Sequence, residues 1–381
     1  MIYLDYAAAT PVDERVMAAM QPYWTEDFYN PSALYTAARQ VKSVLHLARK
    51  RSGAVLGAKP GEIYFTAGAT EANNIAIAGI MQRFPEKTMR ISVIEHDSVR
   101  QPARAYGEHQ EIGVGADGLL RPEDVEAAID EDTVLISVEY VNSELGVIQP
   151  LRDVARLVSD IRTRRQNSGN NTPLYLHTDV SQAAGRLPLD VSELGVDMAT
   201  INGGKIYGPK QSGLLYVRRG VELQPILYGG GQEGGIRTGT ENVAFAVGTA
   251  RALEIADESR SDEQKRLRAF QKRMFNCARQ LGGVVNGDVR RRISDNVHVS
   301  FPGVDGETLV HHLDVRGICV ATGSACQANN DTPDHVLLAL GREDAYITGS
   351  LRLTFGRDTT ADDIGYTEDV LGERIPQLGG N

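Results

Sequence analysis

An α/β fold with a mostly parallel sheet and helices on both faces is predicted from two observations. Strand-like and helical runs alternate from about residue 45 to residue 255. The residues best suited to chemistry fall just after the strand runs, where open α/β sheets bind ligands. The chain has 381 residues, 41% of them hydrophobic, enough for a large core and a second, smaller one.

The strand runs are residues 62–66, 89–94, 133–138, 174–177, 198–201 and 213–217. Each is short and rich in β-branched or apolar residues. Helical patterns lie between them, as over residues 151–165. Residues 162–171 read as a polar, basic loop. It is either a solvated loop whose arginines favour a helix C-terminus or a docking surface. Residues 250–281 read as one long polar helix leading into an α+β region. That region holds strand runs at 296–301 and 351–355. The predicted division is a large cofactor-binding α/β domain over 15–255. A smaller α+β domain comprises 1–14 and 256–381.

Composition excludes several classes. A net charge of −10 argues against direct nucleic-acid binding. No apolar run approaches membrane-spanning length, and the first residues lack a basic region followed by an apolar stretch. A cytoplasmic location is therefore expected. Three cysteines, Cys277, Cys319 and Cys326, without a CxxC, fit neither a disulfide framework nor a zinc site. No metal is expected. Cys277 on a helix and Cys319 in an apolar strand read as structural.

Two segments carry the strongest chemical signal. Lys205 lies in Asn202-Gly203-Gly204-Lys205-Ile206-Tyr207-Gly208 after an apolar run, a setting for a lysine that binds an aldehyde cofactor. Cys326 lies in a small, polar stretch, Thr322-Gly323-Ser324-Ala325-Cys326-Gln327, suited to an exposed thiolate. Other signals are ambiguous one by one. Ala69 and Thr70 stand where a helix N-terminus either meets an anion or simply follows a tight turn. Asp179 after a strand is either a partner for a pyridine nitrogen or a helix cap, and Gln182 could bond a phenolic oxygen. His96 either stacks on a flat ring, shuttles protons or is structural. The glycine-dense loop 229–240, with Arg237 and Thr240, suits an anion or is merely flexible. Arg352 either clamps a carboxylate or lies on an exposed edge.

Taken in order along the chain, these segments resemble the pyridoxal-phosphate-dependent cysteine desulfurases of the NifS/IscS-like kind, within the class V aminotransferases of fold type I. The resemblance runs from Tyr3-Leu4-Asp5-Tyr6 and Asn30-Pro31-Ser32 through Ala69-Thr70-Glu71-Ala72-Asn73-Asn74 and Glu95-His96. It continues through Asn142-Ser143-Glu144, His177-Thr178-Asp179, Lys205, Arg237-Thr238-Gly239-Thr240, Ser324-Ala325-Cys326 and Arg352. It implies that Lys205 binds the cofactor covalently and moves the Cα proton. His96 would stack on the ring and assist proton transfer. Asp179 would pair with the ring nitrogen and Gln182 with the phenolic oxygen. Ala69, Thr70 and Asn202 would hold the phosphate, and Thr240 would reach the phosphate in a partner subunit, implying a homodimer. Asn142 and Arg352 would orient the substrate carboxylate. Cys326, in a stretch over 324–333 suited to movement, would take sulfur from L-cysteine as a persulfide, leave L-alanine, and pass sulfur to an acceptor protein. That acceptor would serve iron–sulfur assembly, tRNA thiolation or DNA sulfur modification. Another lyase or transaminase reaction on the same scaffold needs no thiol, so Cys326 argues against it. A non-enzymatic scaffold is disfavoured by the joint presence of Lys205, Asp179, His96 and Cys326.

The chain departs from the resemblance where the lysine is usually preceded by Ser-x-His. Here Asn202 can still donate a hydrogen bond, but Gly204 has no side chain. Weaker cofactor retention is expected, and extensive dialysis against a competing amine should strip the cofactor; full retention would contradict this. Tyr35 and Ser143 are further departures that remove no catalytic group.

Overall fold

The structure is a computed structural model that describes residues 1–323 and 334–379. Its centre is a seven-stranded sheet in the order Ile63–Thr66, Gly213–Val217, Met198–Asn202, Tyr175–Asp179, Thr133–Ser137, Thr88–Ser92 and Glu108–Ile112. Gly213–Val217 runs antiparallel to both neighbours, and the other pairs are parallel. Its register sets Gly213 opposite both Thr66 and Asn202. The reversal therefore brings the turn after Thr66 beside the Asn202–Lys205 turn. Every residue of Thr133–Ser137 is buried, as strands covered on both faces require.

Glu108–Ile112, with the sequence Glu-His-Gln-Glu-Ile, is an edge strand that exposes alternate residues, and its polar composition kept it out of the strand runs expected from sequence. The six strand runs expected from sequence are all present, with ends shifted by one or two residues.

The expected loop over 162–171 is corrected. The helix Leu151–Ser168 runs through most of it and ends at Gly169, whose φ of 77° is the left-handed conformation that glycine tolerates at a helix end. Arg162 pairs with the buried Asp197, and Arg165 is buried, donating to the carbonyls of Thr172, Pro173, Asp130 and Thr133. These arginines tie the helix to the sheet rather than forming a free surface.

The helix Val243–Gln280, 38 residues long, links two hydrophobic cores. Val243 to Ala256 pack into the core around the large sheet, and Leu267, Phe270, Met274 and Phe275 into a second core. The second core is built on a three-stranded antiparallel sheet, Ser350–Thr354, Asn296–Ser300 and Val284–Val285, with the helices Gly306–Val315 and Ala361–Leu378. Leu4 is fully buried in it. Ile2–Tyr3 pairs in parallel with Ile318–Cys319, and residues 5–9 then pass into the cleft beside Lys205. Among the described residues, no helix is long and apolar enough to cross a membrane.

Candidate active site

A cavity of 250 Å³ opens at the carboxyl ends of the parallel strands. Ala69, Thr70, His96, Asp179, Gln182, Asn202, Lys205 and Arg352 line it, together with Ser98, Glu139, Ser143 and Ser181. Residues spread over some 280 positions of sequence meet there because several strand ends of the large sheet converge on the cavity and the strand Ser350–Thr354 brings Arg352 to it.

Lys205 ends a short turn after the strand Met198–Asn202, and its Nζ donates to the carbonyls of Ala7 and Ala8 at 2.6 and 2.7 Å. The turn is held by Asn202, whose Oδ1 accepts from the Gly204 N–H at 2.9 Å. Gly203 is required by packing, because a Cβ there would lie 2.2 Å from Ser212 Oγ. Gly204 is different. A Cβ there would meet its nearest neighbour, the side-chain atom Asn202 Oδ1, at 3.3 Å, so a side chain would fit only if Asn202 gave by a few tenths of an ångström.

The helix Ala69–Arg83 begins at the cavity wall without a side-chain cap. Gly68 precedes it at φ 124°, a conformation open to glycine. Uncapped N–H groups at such a start suit an anion. Opposite, Asp179 Oδ1 accepts from Ser181 N–H and Oδ2 from Asn73 Nδ2, both at 2.8 Å. Gln182 Nε2 donates to the Ala7 carbonyl at 3.1 Å. His96 caps the helix Asp97–Tyr106, its Nδ1 accepting from Ser98 N–H at 3.0 Å.

Arg352 is 2% exposed, donating to Asp5 Oδ1 at 2.8 Å and to the Ser143 carbonyl at 3.3 Å. It is therefore not an exposed edge residue. Asn142 stands behind the cavity wall. Its Nδ2 donates to Ile94 O and Glu139 Oε1, and its Oδ1 accepts from the N–H groups of Glu144 and Leu145. Its amide is thus fully engaged in holding the turn that carries Ser143. Thr240 is exposed and outside this cavity. Cys326 lies outside the described residues. The chain on either side of 324–333 is tied to the cavity walls. Ala321 exchanges backbone hydrogen bonds with Arg352, and His335 Nε2 is 3.1 Å from the carbonyl of Glu95.

Buried acids limit the charge around the cavity. Burial pushes Glu139 up to about 8, which favours its neutral acid form. Burial, then the neighbouring Glu139 and Asp179, raises Glu95 well above the ordinary range. The two described cysteines are poor nucleophiles. Burial pushes the Cys277 thiol up to about 11 and also raises that of Cys319.

The donor set suits a flat, aromatic, aldehyde-bearing ring with a phosphate. It combines an amine, a carboxylate with room for one more donor, an imidazole, an amide and an uncapped helix start in one cavity. Sequence reading missed Asn73, Ser98, Ser181, Glu139 and Asp5. A visible signal for Asn73 was a pair of asparagines in an apolar helix, and for Glu139 an acid closing an apolar strand.

The fold is that of an aminotransferase-type enzyme. The chain belongs to the aminotransferase class-V family, which matches it over residues 2–366. Cysteine desulfurase IscS 1 of Archaeoglobus fulgidus is 39% identical, over 99% of this chain and 98% of the relative. A solved structure titled NifS-like protein superposes with a TM-score of 0.91 at 31% identity, covering 99% of this chain and all of the other. A structure of SspA in complex with cysteine superposes with a TM-score of 0.79 at 32% identity, covering 93% of this chain and 99% of the other. Class V aminotransferases and cysteine desulfurases are pyridoxal-phosphate enzymes.

Proposed function

We propose that the chain is a cysteine desulfurase that uses pyridoxal phosphate to convert L-cysteine to L-alanine and leaves the sulfur as a persulfide on Cys326. The observation that carries this reading is the meeting of Lys205, Asp179, His96 and Arg352 in one cavity, in a chain whose full-length relatives are cysteine desulfurases. Ala69 and Thr70 at the helix start, with Asn202, would hold the phosphate. Asp179 would pair with the ring nitrogen, Gln182 would bond the ring oxygen and His96 would lie on the ring face. When bound, the cofactor supplies an electron sink that stabilises negative charge at the substrate Cα.

The protein's own groups perform the rest. Arg352, fixed by Asp5, offers its guanidinium to the substrate carboxylate. Ser143 and Asn142 shape that subsite. Lys205 Nζ removes the Cα proton and returns one later in the cycle. The Cys326 thiolate attacks the substrate sulfur, forming an S–S bond as the C–S bond breaks. The carbon skeleton takes up a proton and leaves as L-alanine. The terminal persulfide sulfur then passes to an acceptor protein for iron–sulfur, tRNA or DNA sulfur modification. Thr240, exposed on its loop, would complete the phosphate site of a second copy in a cytoplasmic homodimer.

The test is an absorption spectrum of the purified protein before and after L-cysteine, with alanine assayed in the same tube. A visible band that shifts on adding cysteine, with alanine formed, is the expected result. No band after supplying pyridoxal phosphate, and no alanine, would overturn the proposal.

A further inference from the structure

One hydrogen-bonded chain joins His96 to Asp179 through two side chains, Ser98 and Asn73. Asn73 is fully buried and Ser98 is 7% exposed. Asn73 Nδ2 lies 2.8 Å from both Asp179 Oδ2 and Ser98 Oγ. Ser98 Oγ lies 2.9 Å from His96 Nδ1. The Ser98 N–H reaches the same nitrogen at 3.0 Å.

The proton count leaves one solution. Only the NH₂ side of the Asn73 amide can face a carboxylate, which settles its orientation. Its two hydrogens go to Asp179 and to Ser98 Oγ. Having accepted one hydrogen, the Ser98 hydroxyl turns its own toward His96 Nδ1. Nδ1 thus faces two donors, one of them a backbone N–H that cannot reverse, so it carries no hydrogen. The ring proton stands on Nε2.

The geometry assigns Asn73 and Ser98 as positioning residues that fix the Nε2–H tautomer of His96 and the rotamer of Asp179 together. This rests on the reading of His96 as the group on the cofactor ring's face and Asp179 as the partner of its nitrogen. It also chooses between the roles that sequence left open for His96. With Nδ1 committed to Ser98, the imidazole presents a fixed Nε2–H donor. Asp179, with one oxygen held by Ser181 N–H and the other by Asn73, keeps a lone pair of Oδ2 for a ring N–H. Ser98 also lies on the cavity wall, so the chain borders the site it orders.

The test uses full-length protein labelled with ¹⁵N-histidine, with and without added pyridoxal phosphate. His96 is assigned by the loss of its signals in His96→Gln. At neutral pH, His96 is expected to show an unprotonated Nδ1 and a protonated Nε2. Ser98→Ala should move the Nδ1 resonance, and Ser98→Thr should restore it. Asn73→Asp offers only acceptors, so it should recapture the Ser98 hydrogen and place a second carboxylate against Asp179. That variant should shift the pH dependence of the bound cofactor's absorption. It should lower kcat by about tenfold or more with KM within about twofold. A wild-type His96 protonated on Nδ1 would overturn the assignment. So would variants that fold, keep their melting temperature and leave both the resonances and the pH profile unchanged. The tautomer is read without turnover. If the resonances behave as expected and no alanine forms, the desulfurase reading fails and the positioning role stands.

Discussion

Replacing Lys205 with alanine is expected to lower alanine formation from L-cysteine by at least about a thousandfold. The reason is geometric before it is chemical. Among the described residues lining the cavity, Lys205 supplies the one lysine amine, and the carbonyls of Ala7 and Ala8 aim it. Arg352 cannot replace it, because its guanidinium is held by Asp5 and the Ser143 carbonyl. Two measurements read the result. Borohydride treatment followed by mass spectrometry should find cofactor mass on the wild-type chain and none on the variant. Turnover of the variant above about one percent of wild type would show that another group moves the Cα proton.

Replacing Cys326 with serine should separate binding from sulfur transfer. The variant is expected to keep the visible band and its change on adding L-cysteine, while sulfide and persulfide formation fall by about a thousandfold or more. A serine hydroxyl is far less nucleophilic toward sulfur than a thiolate. Neither remaining cysteine can compensate, since burial holds both thiols in the protonated form. Sulfide release at the wild-type rate would remove Cys326 from the mechanism. Loss of the spectral change as well would mean that the residue is needed to bind substrate.

Most of the large sheet was legible because its central strands are apolar and short, and helices with clear periodicity separate them. That Lys205, Asp179 and His96 meet in one cavity was legible for the same reason, since each ends or follows such a strand. What escaped was set by tertiary context. Glu108–Ile112 is polar because it lies at the sheet edge, and Arg162 and Arg165 continue a helix whose partners, Asp197 and the carbonyls of Thr172, Pro173, Asp130 and Thr133, lie elsewhere in the chain. The link between Asn73 and Ser98 joins residues on two different helices, and no local pattern announces it. The commitment of Asn142 to Glu139 and to the turn behind the cavity was invisible for the same reason.

The way Ile2–Tyr3 is used has a consequence for how the molecule comes into being. Their pairing partners, Ile318–Cys319, follow them about 300 residues later, tens of seconds at ordinary rates of synthesis. Leu4 waits as long for the core that covers it, and Asp5 for Arg352. The sheet around Lys205 can close before then, but the carbonyls of Ala7 and Ala8 are placed only once the small core has captured the segment before them. Assembly of the catalytic cleft is therefore tied to a closure of high contact order. A nascent chain stopped short of residue 350 would lack Arg352 and its hold on Asp5, and with them the far wall of the cavity around Lys205.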